Sequence, residues 1–328
     1  MTAAPLIELW RNDLLESLHL GHAVICDENG DIEAAWGDPS AVIFPRSSCK
    51  MVQALPLLES GAGAHLTTEQ LALSCASHQG AAIHTNRVAG WLSDLGLAES
   101  DLRCGVQTPA DEPELKRLHK SDESPCQIHN NCSGKHAGFL TLNKHLGGGA
   151  DYELLDHPVQ QACKQAFEEV TEETSPTYGI DGCSAPNFAT TVHGLARAMS
   201  SFAVANDTST RSNAMVKLRE AMMTFPELVA GETRACTELM RAMGGKVAIK
   251  TGAEAVFVAI LPEQRKGIAL KVIDGGTRGA EAAITALLIH LGALDANHPA
   301  ALKRLGGDMT NWRGTVVGTS KTAAGFVG

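Results

Sequence analysis

Ser47 stands three residues before Lys50 in Phe44-Pro45-Arg46-Ser47-Ser48-Cys49-Lys50, and an apolar run follows: Met51, Val52, Ala54, Leu55, Leu57, Leu58. Positions i and i+3 share a helix face, so a serine in the first turn has the lysine amine above it. That arrangement activates a hydroxyl without histidine, because a neutral amine can take the proton as the oxygen attacks. The helix N-terminus adds partial positive charge where an oxyanion develops. Only one register works, since the residue three after Ser48 is Met51. Alone the S-x-x-K pattern is a weak signal; an N-cap serine and a solvated lysine give the same string. Cys49 lies on the other side of that helix and reads as packing.

A second motif changes the weight of the first. Lys250-Thr251-Gly252 closes a short apolar strand. A lysine at a strand edge puts positive charge beside a nucleophile, and a glycine there lets a substrate approach the backbone. S-x-x-K at a helix start with K-T-G on a strand resembles the penicillin-binding and class A β-lactamase group. The middle motif departs from that group, which has S-D-N where this chain has Ser77-His78-Gln79. Ser77 is a candidate to relay a proton between the two lysines. No residue matches the deacylating carboxylate of β-lactamases, which argues against β-lactam hydrolysis and leaves an acyl-serine scheme in place.

The elements that must position these residues follow from pattern. Ala23–Cys26 and Ile32–Trp36 flank Asn29-Gly30, a hairpin signal within a β meander over residues 6–36. The Ser47 helix extends to Gly61, and Thr67 with Gln70 forms a capping box for the next helix. A third helix covers Ile83–Leu95, residues 103–131 are polar and Pro-rich loop, and Cys132-Ser133-Gly134-Lys135-His136 enters a helix. Pro158–Thr171 has helical spacing, Tyr178–Pro186 is a dense turn, and helices follow near 189–204, 209–223 and 232–243. Three strands at 246–250, 255–260 and 268–273 precede a helix at 279–293; Asn311–Gly318 reads as a strand or a dimer contact. The expected fold class is α+β, with one antiparallel sheet built from both chain ends, a terminal helix and an inserted helical lobe. The sheet lobe covers about 1–45 and 245–328 and the helical lobe about 46–244, within one domain over 1–328.

Hydrophobic residues make up 44% and charged residues 20%, the balance of a soluble globular protein. The net charge of −10 argues against nucleic acid or an anionic membrane as main partner. No apolar run reaches the length of a membrane span, and Met1–Asn12 lacks the basic start and apolar core of a signal peptide. Nine scattered cysteines, an odd count, read as reduced thiols of a cytoplasmic protein. His22, His65, His84, His119, His129, His145 and His157 show no metal spacing and read as surface or loop residues.

Five ordered motifs narrow the resemblance. Pro45–Lys50, Cys75–His78, Asn131–His136, Asp181–Cys183 and Ile249–Gly252 together resemble the Rhizobium etli-type, or class 3, L-asparaginases over nearly the whole chain. The resemblance implies a serine β-lactamase-like fold, a homodimer, and hydrolysis of L-asparagine to L-aspartate and ammonia. It implies Ser47 as nucleophile, Lys50 as its base, and Ser77 with Lys250 as a second Ser–Lys pair. It also implies a zinc held by Cys132, Lys135 and Cys183, with Asp181 on the metal's water. Arg46, Asp181, Thr251 and Gly252 become candidate substrate-binding residues. On residue chemistry alone, the two cysteines suit zinc, while a lysine ligand is uncommon and must lose its proton. His136 is the alternative third donor, and buried small thiols are the plain alternative to any metal. A metal beside a separate Ser–Lys apparatus is expected to bind and orient substrate. A glutaminase or a penicillin-recognising hydrolase on the same fold, and a non-catalytic metal-binding protein, are the competing readings.

Overall fold

The computed structural model describes residues 2–327. These fall into two compact units: a sheet unit of residues up to Ser48, Thr190–Val204 and from Glu238 onward, and a helical unit of Cys49–Ala189 and Ala205–Thr237.

The sheet unit holds, among the described residues, an eight-stranded antiparallel sheet. Its order is Asp308–Thr310, Val316–Thr322, Ala4–Arg11, Leu14–Cys26, Lys266–Val272, Val256–Leu261, Ala248–Gly252. Ile32–Trp36 is the eighth strand; it pairs with Ala23–Cys26 through the turn at Asn29-Gly30, where Gly30 has φ +80°. Strands from both chain ends therefore lie side by side. Every residue of Val256–Leu261 is buried, which requires cover on both faces and explains its unbroken apolar run. The helices Val192–Val204 and Thr277–His290 pack on these strands. Val192–Val204 thus belongs with the sheet and not with the helical lobe to which residues 46–244 were assigned. Gly267 makes its approach possible: a Cβ there would sit 2.1 Å from the Ser200 backbone nitrogen. Of the tail stretch, residues from Val316 onward form a strand on Ala4–Arg11.

The helical unit is built around Ser133–Leu146, in which every residue from Ser133 to Asn143 is buried. A helix buried on all sides is a core helix, so it shows no clear amphipathic stripe. Thr68–Ser74 packs close to it at Gly134, where a Cβ would lie 2.5 Å from Leu73 O. The capping box is present: Gln70 N–H donates to Thr67 Oγ1 (3.3 Å) and Thr67 N–H to Gln70 Oε1 (2.9 Å).

Two expectations need correction. Residues 103–131 contain a helix, Glu112–Ser121, whose N-cap Asp111 accepts from Glu114 N–H. Pro113 sits in its first turn, where the missing N–H costs nothing, so the proline-rich composition misled. The Ser47 helix is shorter than expected. The chain makes a 3₁₀ turn at Arg46–Cys49, an α turn at Lys50–Gln53 and a separate helix at Leu55–Glu59. Pro56 has no N–H to continue the first ladder, and the break falls at Ala54.

Candidate active site

Five of the candidate residues lie in the sheet unit: Arg46, Ser47, Lys250, Thr251 and Gly252. Arg46 has φ +53°, an uncommon conformation for a bulky side chain, and it forces a tight turn immediately before Ser47. Ser48 closes that turn, its N–H (3.2 Å) and Oγ (2.7 Å) both donating to Pro45 O. The turn lies directly against the end of Ala248–Gly252. A Cβ on Gly252 would meet Pro45 O at 2.5 Å and Ser48 N at 3.1 Å, so only glycine lets the Ser47 turn and the K-T-G strand touch. Lys250 is fully buried on that strand, and its Nζ donates to Thr251 O (2.8 Å).

The helical unit holds the other six: Lys50, Ser77, Cys132, Lys135, Asp181 and Cys183. Lys50 is 1% exposed. Its Nζ donates to Ala76 O, to Ser77 Oγ (3.0 Å) and to Cys132 Sγ (3.1 Å). Three acceptors thus surround this amine. Ser77 is held in place by its own N–H, which donates to Val229 O (2.8 Å). His78, next in sequence, fixes the loop further. Its N–H donates to Asn131 O (3.1 Å), and its Nδ1 accepts from Gly80 N–H (3.1 Å). The ring proton is therefore on Nε2, which donates to Ser133 Oγ (3.0 Å), and Ser133 passes its own proton to Ile128 O (2.8 Å). Burial, with His84 and Lys50 nearby, pushes His78 well below the usual histidine range, so it stays neutral. His78 thus ties the Ser77 loop to the segment carrying Cys132.

Cys132 and Cys183 are pushed in opposite directions. The interaction with Cys183 and burial hold the Cys132 thiol well above its usual range, and its S–H donates to Asn131 Oδ1 (2.9 Å). Cys183 is driven well below that range by Cys132 and by Lys135, against the effect of burial. Lys135 Nζ lies 3.1 Å from Cys183 Sγ and 5.0 Å from the centroid of the Phe139 ring. Burial works against its charge, but the two cysteines and Asp181 outweigh that and hold the lysine above its ordinary range. Cys183 reaches this place from a tight turn in which Ser184 has φ +71° and its N–H bonds Asp181 O (2.9 Å). Elsewhere burial is the largest influence: it pushes the Cys49 and Cys163 thiols up to about 12.

No group of three or more His, Cys, Asp and Glu side chains among the described residues is arranged to hold a metal ion. The Cys132, Lys135 and Cys183 set contains only two such side chains, both cysteines, and its chemistry suits a soft divalent cation: two sulfurs and an amine on three buried residues. Binding would expel the Cys132 and Lys135 protons. A fourth donor stands by. His136 Nδ1 bonds Tyr152 OH (2.8 Å), whereas its buried Nε2 has no hydrogen-bond partner although Cys183 is near enough to act on its charge. The residues present therefore fit a zinc ion.

Asn131 and His78 carry much of this geometry, and sequence reasoning did not assign them roles. Their only signal was position, beside Cys132 and Ser77. The histidine expectations also change: His22, His84 and His129 are buried.

The antiparallel α+β fold carries S-x-x-K at a turn and K-T-G on an edge strand, an order similar to that of the penicillin-recognising serine hydrolases. The chain belongs to the L-asparaginase II family, whose sequence model matches residues 7–322, and it is an asparaginase-type hydrolase. No curated protein sequence is significantly similar to it. Among solved structures, a β-lactamase from Mycobacterium bovis is 12% identical, with 82% of this chain and 94% of that chain covered and a TM-score of 0.45. A protein called Mglu, in a tris and glutamate form, is 12% identical with a TM-score of 0.48; the match covers 89% of this chain and 63% of that one. The D-alanine carboxypeptidase AmpC from Burkholderia cenocepacia is 13% identical, with 84% and 93% covered and a TM-score of 0.42. No helix among the described residues is long and apolar enough to cross a membrane.

Proposed function

We propose that this protein hydrolyses L-asparagine to L-aspartate and ammonia through an acyl-Ser47 intermediate. The observation that carries the reading is Lys50: a buried S-x-x-K lysine whose amine bonds a second serine hydroxyl, three residues after a strained turn bearing Ser47. Lys50, once neutral, takes the Ser47 proton as Oγ attacks the side-chain amide carbon. The C–N bond then breaks, and the proton returns to the leaving ammonia through Lys50 and Ser77. Water cleaves the β-aspartyl ester by the reverse relay, regenerating Ser47. Backbone N–H groups of the Ser47 turn serve the oxyanion. Lys250, Thr251 and Gly252 offer charge and polar groups beside that turn, and Lys250 is the second lysine of the relay. Arg46 and Asp181 are assigned to the substrate's carboxylate and ammonium.

Zinc on Cys132, Lys135 and Cys183, with His136 beside them, would supply a fixed positive charge for orienting substrate. Nine free cysteines support a reducing, cytoplasmic setting. Exposed Leu14, Leu18 and Leu20 on one strand support a homodimer, which sedimentation would test.

The deciding experiment is ammonia release from L-asparagine and from L-glutamine by wild type and Ser47→Ala. Asparagine turnover that vanishes in Ser47→Ala is expected. Glutamine is longer by one methylene, worth only about 1–3 kcal/mol of discrimination, so some turnover of it is compatible with the reading. A preference for glutamine would make the protein a glutaminase. No turnover of either by folded, zinc-loaded protein would overturn the proposal.

A further inference from the structure

Gln79 stands two residues after Ser77. The N–H of Ser77 bonds Val229 O (2.8 Å) and that of His78 bonds Asn131 O (3.1 Å), so successive N–H groups go to different segments, as in an extended chain. Side chains alternate along such a chain. The His78 ring turns inward to Ser133 Oγ (3.0 Å), and Ser77 and Gln79 share the other face. The Gln79 carbonyl is fixed, accepting from Ala110 N–H (2.9 Å) and Asp111 N–H (3.1 Å). Its side chain lies flat on Gly231. There φ is +107°, and a Cβ would meet Gln79 Oε1 at 2.2 Å, Cδ at 2.8 Å and Cγ at 2.9 Å, so only glycine fits. Buried Thr237 anchors that glycine, its Oγ1 donating to Gly231 O (2.6 Å). Gln79 is partly exposed, and its carboxamide makes no hydrogen bond among the described residues. Neighbouring carboxamides are used to tie loops. Asn130 Nδ2 donates to Cys104 O (2.9 Å) and Gly105 O (3.0 Å), and its Oδ1 accepts from Cys132 N–H (2.9 Å). Gln107 Oε1 accepts from Asn131 N–H (3.0 Å). Gln79 is held by close packing instead, and its donor and acceptor are both left to a ligand. All of these residues lie in the helical unit.

We propose that Gln79 is a specificity-determining residue for a carboxamide substrate: its Oε1 accepts one N–H of the side-chain amide of asparagine. The inference rests on the acyl-Ser47 reading, in which Ser77 hands a proton to the leaving nitrogen. A hydroxyl and a carboxamide oxygen on one face then address the same nitrogen. Gln79 takes one N–H and so turns the nitrogen lone pair toward the Ser77 proton. The Ser47 O–C bond forms, the C–N bond breaks as the nitrogen takes that proton, and ammonia departs; Gln79 neither gains nor loses a proton. An ester has no N–H at its leaving atom, so this contact is available to an amide and withheld from an ester. A role in packing alone, with the Gln79 stem merely covering Gly231, predicts no difference between the two.

The test compares kcat/KM for L-asparagine and for L-aspartate β-methyl ester, which give the same acyl-enzyme, in full-length wild type and Gln79→Met. Methionine keeps the volume over Gly231 and removes the amide. The asparagine value should fall about 10-fold or more, with the ester value changed less than about threefold. Gln79→Glu keeps an oxygen acceptor and should hold the amide-to-ester ratio near that of wild type, whatever it does to both rates. Gln79→Ala is read in place of Gln79→Met if the latter does not fold. An equal fall for both compounds, or no fall, beside an active wild type overturns this inference alone. A wild type that cleaves neither compound overturns the asparaginase reading and this inference with it.

Discussion

Lys50 and Lys135 are both buried lysines of the helical unit, and each holds one thiol of the same pair at 3.1 Å. Their remaining partners differ. Lys50 faces a carbonyl, a serine hydroxyl and a cysteine that keeps its proton. Lys135 faces an aromatic ring and Cys183, whose thiol is held well below its usual range. Groups that can give and accept protons surround the first; a thiol driven toward its anion lies against the second. Burial and residue type are shared, so the chemistry of each lysine is set by the charge of what it touches. Lys50 is suited to moving a proton and Lys135 to holding charge.

The largest expected effect tests the first half of that contrast. Lys50→Met keeps the volume and removes the amine, and asparagine turnover should fall about 10³-fold or more with little change in KM. Lys50→Arg should not restore it, because a guanidinium does not give up its proton near neutrality. A Lys50→Met enzyme with a tenth of wild-type turnover would break the distinction. The second half predicts a stability effect. Lys135→Met removes the amine that bonds Cys183 Sγ in a buried place, and unfolding by urea should show a loss of about 1–3 kcal/mol. Turnover per folded molecule should fall far less than in Lys50→Met. Equal losses of turnover in both variants would mean that the two lysines share one role. A smaller effect is expected from chelation followed by dialysis. KM for asparagine should rise about tenfold while kcat changes little, and added zinc should reverse it. An unchanged KM in metal-free protein would remove zinc from substrate binding.

How much of this can be read in the sequence depends on range. Local chemistry is legible: the Asn29-Gly30 turn, the Thr67/Gln70 capping box and the late apolar strands all follow from neighbouring residues, and the family resemblance follows from ordered motifs. The helix Glu112–Ser121 was hidden because Pro109, Pro113 and Pro125 dominate its surroundings, although Pro113 is harmless where it stands. The contacts that distinguish the two lysines are not legible. Lys50 and Cys132 are 82 positions apart, and Lys135 and Cys183 are 48 apart. The opposite shifts of the two thiols depend on each other and on Lys135, a difference no spacing rule encodes. His78 was invisible as a structural tie because its partners are a serine hydroxyl and two backbone groups, none with a sequence signature.

Mild acid offers the smallest perturbation, and it acts through that tie without altering either lysine. His78 is neutral because burial disfavours its charge, and its Nδ1 already accepts from Gly80. His84 stacks on it, ring centroids 4.7 Å apart and planes within 8°, and burial lowers its proton affinity as well. A histidine whose folded-state affinity lies below its ordinary 6.5 binds fewer protons folded than unfolded. Its contribution to stability is complete above about pH 6.5 and is lost as pH falls below that value. Each histidine can contribute a slope of at most about 1.4 kcal/mol per pH unit. Urea unfolding at pH 7.5, 6.0 and 5.5 should therefore show stability declining over a range where carboxylates are still ionised. His84→Gln should remove about half of that slope. If stability is flat from pH 7.5 to 5.5, His78 tolerates a charge, and the Ser77 hydroxyl beside Lys50 is held by its backbone bond to Val229 and not by a neutral ring.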